Sequence, residues 1–116
     1  MTELTIVKFQ EMASATDAQL LVVLIPSKTL VYSSVLEQFS SELPEVLFEH
    51  IRLDKILKND IIGFLENNKF GYIDVTDGLV EMISNKQNPY YDVPNEHPNA
   101  AGYKVIANAI SKAFSD

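Results

Sequence analysis

The run Leu20-Leu21-Val22-Val23-Leu24-Ile25 is apolar at every position and partly β-branched. This predicts a strand over Ala18 to Ile25, buried on both faces as in a parallel sheet, and stopped by Pro26. Ahead of it, Leu4, Ile6, Val7, Phe9 and Met12 recur near helical spacing and predict an amphipathic helix over Thr2 to Ser14. Thr2 is its candidate N-cap, with Glu3 in the first turn. After the strand, Thr29 to Phe39 predicts a second helix and Ser40 to Pro44 a loop, while Val46 to Ile51 fits either a short strand or a helical turn. From about Asp54 to Asn67 the pattern is helical. Leu53, Ile56, Leu57, Ile61, Phe64 and Leu65 fall at three- and four-residue steps along one face, widened by Ile62. Gly71 to Val75 predicts a second strand, Asp77 to Ser84 a helix, Asn85 to Pro98 a long polar loop, and Asn99 or Ala100 to Phe114 a final helix.

Helices alternating with buried strands indicate an α/β chain with a short parallel sheet. The length of 116 residues fits a single domain, 1–116, with no internal repeat and no interdomain linker. Two or three strands make a thin sheet for so much helix.

Composition narrows the partners. Hydrophobic residues make up 47% of the chain and charged residues 22%, as in ordinary globular proteins. The net charge of −7 repels a phosphate backbone, and the nine basic residues do not cluster, so nucleic acid is not an expected partner. No apolar run is long enough to span a bilayer, and no basic amphipathic face marks a membrane surface. The N-terminus lacks a signal-peptide pattern, so the cytoplasm is the expected compartment. There is no cysteine, which removes disulfides and thiolate chemistry. His50 and His97 are too far apart for metal-ligand spacing, and no cofactor motif is present.

The chemistry concentrates in Asn95-Glu96-His97-Pro98-Asn99-Ala100-Ala101-Gly102-Tyr103, where a histidine sits in a proline-bounded loop just before an apolar helix. This block resembles the histidine-bearing C-terminal segment of the SGNH (GDSL-like) hydrolases, serine esterases and acetyl transferases with a flavodoxin-like, three-layer α/β fold. Other segments fit in the same order. Gln19 to Pro26 with Ser27-Lys28 and Val31-Tyr32 is similar to the family's penultimate strand and the turn after it. Tyr72-Ile73-Asp74-Val75-Thr76-Asp77-Gly78-Leu79 is similar to its last strand, and Pro89-Tyr90-Tyr91 to the start of its catalytic loop. The resemblance implies that His97 occupies the general-base position and that the chain corresponds to the C-terminal half of the fold.

Two departures matter. The Gly-Asp-Ser segment that carries the family's nucleophile does not occur, so His97 has no family hydroxyl to activate. The aspartate expected two or three positions before the histidine is replaced by Asn95 and Pro94. An amide in that role favours the wrong imidazole tautomer and costs about 10⁴ in rate in a serine protease. Glu96 and Asp92 are the nearby carboxylates able to substitute, though adjacent side chains point in different directions.

Several blander readings stand beside these. His97 also fits a structural loop histidine, and His50 beside Glu49 a surface residue. Ser27 and Lys28 come directly after a buried strand, where a serine–lysine dyad would be well placed, but neighbouring residues at a strand end diverge. Asp74 fits a strand-end cap for the next helix, and Tyr90 and Tyr91 fit either a cleft lining or loop packing. Three functions are compatible with this pattern: an SGNH-type piece inactive without its N-terminal half, an interaction or oligomerisation module using an exposed sheet edge, and a minimal esterase built on Ser27. A bared apolar strand edge favours association, so the expected state is a homo-oligomer.

Overall fold

The computed structural model describes residues 2–38, 42–92 and 97–114. The elements run α1 (Thr2–Ala15), β1 (Leu21–Leu24), α2 (Lys28–Val31), α3 (Ser33–Glu37), α4 (Glu45–Asn67), β2 (Gly71–Asp74), α5 (Thr76–Ser84) and α6 (Ala100–Ala113). The chain is a mixed α/β structure, mostly helical. Among the described residues the sheet has two parallel strands, with Leu21 opposite Gly71, Val22 opposite Tyr72, Val23 opposite Ile73 and Leu24 opposite Asp74. A parallel pair needs a long crossover, and α2, α3 and α4 provide it.

Both strands lie where the apolar pattern places them, β1 shortened at both ends and β2 at its C-terminal end alone. Two helical expectations change. The helix expected over Thr29 to Phe39 is divided at Tyr32, whose φ of −88° and ψ of 5° separate α2 from α3. Val31 just before the break is fully buried, and Ser33-Ser34 just after it offers little helical propensity to carry the turn through. Phe39 at the expected helix end, and Ser40 and Ser41 in the expected loop, lie outside the described residues. The ambiguous stretch Val46 to Ile51 is helical and continuous with the helix expected from Asp54, giving α4 its 23 residues, about 34 Å of helix. That length outruns the sheet. Of the predicted stripe, Leu65 is fully buried, but Leu53, Ile56 and Leu57 remain exposed.

Three helices end alike. Asp17, Lys69 and Lys86 take φ near 60° immediately after the C-caps of α1, α4 and α5. In each case the next residue's amide reaches back to close the helix: Ala18 to the Ala13 carbonyl (2.8 Å), Phe70 to Leu65 (2.9 Å) and Gln87 to Met82 (2.8 Å). These are Schellman motifs, which normally use glycine because a side chain strains the left-handed conformation.

The core consists of Val31, Val75, Leu79, Met82, Tyr90 and Ile106, with Val23, Ile73 and Val105 packed against it. It joins one end of the sheet to α5 and α6 and leaves much of the chain outside. Among the described side chains of α1 only Ile6 is buried, while Leu4, Phe9 and Met12 are exposed. The radius of gyration is 16.0 Å, against about 13 Å for a compact domain of this length.

Replacing Lys86 with glycine removes the left-handed strain while adding backbone entropy to the unfolded chain. Urea unfolding is expected to show Lys86→Gly more stable by about 0.5–1 kcal/mol; an unchanged or lower midpoint would mean the Lys86 side chain makes a compensating contact.

Candidate functional site

The loop after α5 is fastened to the C-terminal end of β1 and to the start of α6. Tyr90 is almost fully buried, its hydroxyl donates to the Pro26 carbonyl (3.0 Å), and its ring packs 6.1 Å from that of Tyr32. Lys28 Nζ donates to the Tyr91 carbonyl (2.6 Å). Tyr90 also forms an antiparallel bridge with Pro98, so the two legs of the loop lie side by side. Asn99 completes the closure. Its Oδ1 caps α6 by accepting from the Gly102 amide (2.9 Å), and its Nδ2 donates to the carbonyls of Asn88 (2.6 Å) and Tyr90 (3.1 Å). Its own amide donates to the Pro89 carbonyl (2.9 Å).

Gly102 belongs to the same closure. A Cβ there would collide with the Pro89 carbonyl oxygen, so the loop packs on the helix only where no side chain intervenes. The block Pro98-Asn99-Ala100-Ala101-Gly102 thus has a structural logic of its own. His97, directly before it, is exposed on this fastened base.

The expected histidine partners are only partly in view. Pro94, Asn95 and Glu96 lie outside the described residues. Asp92 is exposed and accepts from Asn88 Nδ2 (2.9 Å). Burial raises the Tyr32 phenol above its ordinary value, and the Asp92 charge raises it further. Asp92 therefore stands near Tyr32 and Asn88.

Ser27 and Lys28 do not form a dyad. The Ser27 hydroxyl donates to Asp54 Oδ2 (2.8 Å) and accepts from the Leu30 amide (3.1 Å), serving as the N-cap of α2. Its partner is a carboxylate, a weak base for activating an alcohol. Asp74 meets its structural expectation: Oδ1 accepts from the Thr76 amide (3.0 Å) and hydroxyl (2.6 Å) at the start of α5, and Oδ2 pairs with Lys58 at 2.9 Å. Burial works to raise its pKa, but the Thr76 hydrogen bonds and Lys58 together outweigh burial, and the group lies below its ordinary value of 3.8. Tyr90 is a packing residue, whereas Tyr91 is exposed. His50 is exposed on α4.

A cleft of about 340 Å³ opens at the C-terminal ends of both strands, lined by Ile25, Ser27, Asp54, Leu57, Lys58 and Thr76 among others. Parallel α/β sheets place functional groups at this end. His97 is not one of its lining residues. Asp54 and Lys58 were not foreseen as site residues. Their i, i+4 spacing puts them on one face of α4, but only the packing of that helix shows that the face meets β1 and β2. A larger cleft of about 610 Å³ at the opposite ends of the strands has Lys69 as its sole titratable lining residue and offers no catalytic grouping. Among the described residues no cluster of three or more His, Asp and Glu is placed to hold a metal, and no helix is long and apolar enough to cross a membrane.

No family model matches the chain, and neither a curated protein nor a solved structure matches it. Among the described residues, fold and site define a mostly helical α/β chain with a two-stranded parallel sheet, in which the segments flanking the His97 loop are fastened at the C-terminal end of β1.

Two outcomes are expected from these contacts. Asn99→Ala removes a helix cap and two donors to loop carbonyls, and urea unfolding should show a loss of about 1–2 kcal/mol; a loss near zero would mean that water replaces the side chain freely. Because the folded pKa of Asp74 is depressed, its contribution to stability is complete above its unfolded value and is lost as pH falls through the folded one. Asp74→Asn should therefore be less stable than the parent at neutral pH and should lose less stability on acidification below about pH 4. Parallel acid profiles for the two proteins would refute that role.

Proposed function

We propose that this chain is the histidine-bearing half of an SGNH-type hydrolase domain, holding the general-base position at His97 but inactive by itself. The observation that carries the reading is the closure of residues 88–92 onto Pro98 and Asn99. It fixes the backbone next to His97 beside the C-terminal end of β1, through Tyr90 on Pro26 and Lys28 on Tyr91. A general base needs this kind of fixed footing within an otherwise polar loop.

Inactivity results from what surrounds the imidazole. The Gly-Asp-Ser segment is absent from this sequence, and Ser27 is committed to Asp54 and to capping α2. In the full reaction a serine hydroxyl attacks the ester carbonyl, and the histidine takes the hydroxyl proton and returns it to the leaving alcohol. Water then releases the acid. This chain supplies the proton carrier and lacks the attacking oxygen. In this reading a three-layer flavodoxin-like arrangement forms only when further strands join the sheet.

Hydrolysis of a short-chain aryl acetate tests the reading in two arms. The chain alone and its His97→Ala variant should show the same background rate; a rate that the substitution abolishes would overturn inactivity. Fusing a Gly-Asp-Ser-bearing N-terminal half of an SGNH esterase ahead of Thr2 should yield hydrolysis that His97→Ala lowers at least about a hundredfold. A folded fusion whose rate is indifferent to His97 would remove the assignment of that residue.

A further inference from the structure

The backbone of β1 has an unused side. In a parallel ladder alternate residues of a strand face the neighbour. The Leu24 carbonyl accepts from the Val75 amide (3.2 Å), so Leu24, and with it Val22, point toward β2. Leu21 and Val23 therefore aim their N–H and C=O groups away from β2, and among the described residues no backbone hydrogen bond reaches them there. Such a row of unpaired groups templates another strand unless it is blunted. Devices that blunt an edge are missing from β1: Ala18 to Ser27 contains no charge, and the first proline is Pro26, past the strand's end. By contrast β2 carries Asp74, paired with Lys58, and Tyr72, bonded to Glu66.

The faces of β1 are also incompletely covered. Both α4 and α6 pack chiefly on β2, and each residue of Leu21–Leu24 is left half-buried although all four are aliphatic. The whole chain exposes 8120 Å². A folded monomer of 13.0 kDa exposes about 6,300 Å². The excess, roughly 1,800 Å², exceeds the ~800 Å² that each partner contributes to an ordinary stable interface.

We infer that the open edge of β1 pairs with β1 of a second copy of this chain, antiparallel about a two-fold axis, making one four-stranded sheet in the order β2-β1-β1-β2. A second copy fits because the strand is self-complementary. The register that the outward groups dictate sets each Leu21 opposite the partner's Val23 about a two-fold at Val22, so only aliphatic side chains meet, and the uncharged flanks put no like charges opposite one another despite the overall net charge of −7. Pairing satisfies the outward amides and carbonyls of Leu21 and Val23 and turns an all-aliphatic edge strand into a central one, the position its composition suits. This inference stands on strand geometry and does not depend on the reading of His97.

Light scattering of the full chain at high-micromolar concentration should give twice the 13.0 kDa chain mass. Val23→Pro removes the amide that points away from β2 and leaves every β1 donor that faces β2, so β1 and β2 remain able to pair while the intersubunit ladder is broken, at the cost of trimming a side chain packed on the core. The dimer dissociation constant should rise at least about tenfold. Circular dichroism checks that the variant keeps its helices. A sample mixing differently labelled copies should show intermolecular Hα contacts between β1 residues by NMR, and this decides the matter if the variant does not fold. A monomer, a dimer without β1 contacts, or a dimer that a folded Val23→Pro leaves intact would each overturn the inference.

Discussion

Tyr90 gathers three distant parts of the chain at one point. Its ring is packed with Val31 after the first strand, Leu79 in α5 and Ile106 in α6, and its hydroxyl closes on the carbonyl of Pro26 where β1 ends. Its backbone bridges Pro98, from which Asn99 starts the last helix. The combination is energetically coherent. The apolar body goes into the core, the single polar atom finds a carbonyl, and the flanking backbone groups of the loop are met by Asn88 and Asn99. A polar loop of this length would otherwise have little reason to keep one conformation beside the sheet.

The same end of the sheet holds a second set of polar side chains, and these are occupied in structure. Ser27 caps α2 and donates a hydrogen bond to Asp54, while Asp74 accepts from the first amide of α5 and pairs with Lys58. Strand ends in an α/β chain lead into helix starts with unsatisfied backbone amides, and short polar side chains are drawn there for that reason. A serine at such a place resembles a nucleophile in sequence because the same exposure suits both uses. The distinction comes from its partner. A carboxylate orients and desolvates the hydroxyl without the basicity to remove its proton, so geometry alone separates capping from catalysis at Ser27.

Much of this was legible in the sequence, and the remainder depended on contacts. The aliphatic run at Leu20–Ile25 marks β1 because it is short, partly β-branched and stopped by Pro26. Pro26, Asn68 and Asn99 fall at the boundaries their chemistry implies. The continuity of α4 was not readable, since Val46 to Ile51 satisfies either period when read alone. Nor was the exposure of Leu53, Ile56 and Leu57: a hydrophobic stripe states that a helix seeks cover, not that cover is present. Around the candidate site, the cap by Asp74 was visible from its position. Asp54 and Lys58 were invisible because their significance is set by which face of α4 meets the strands. Gly102 shows the reverse. It belongs to a recognisable block, yet the reason for a glycine there is the Pro89 carbonyl, which only the folded loop brings close.

A two-stranded sheet is marginal by itself, and among the described residues it supports six helices with a core confined to one end. Such a chain has two ways to gain stability: enlarge the core or share the sheet. The first is not taken up within the described residues, where α1 and the N-terminal half of α4 leave Leu4, Phe9, Met12, Val46 and Leu53 exposed. The second is most open along β1, whose edge is uncharged, whereas β2 carries Asp74, paired with Lys58, and Tyr72, bonded to Glu66, which discourage addition. A strand added at β1, as inferred above, would lie next to Pro26, and Pro26 is the residue that anchors Tyr90 and so the segments flanking the His97 loop. Sheet completion and the positioning of His97 are therefore joined through one carbonyl. A strand laid along β1 restricts the motion of the backbone from which the histidine loop is hung, whether or not the imidazole has a nucleophile to serve.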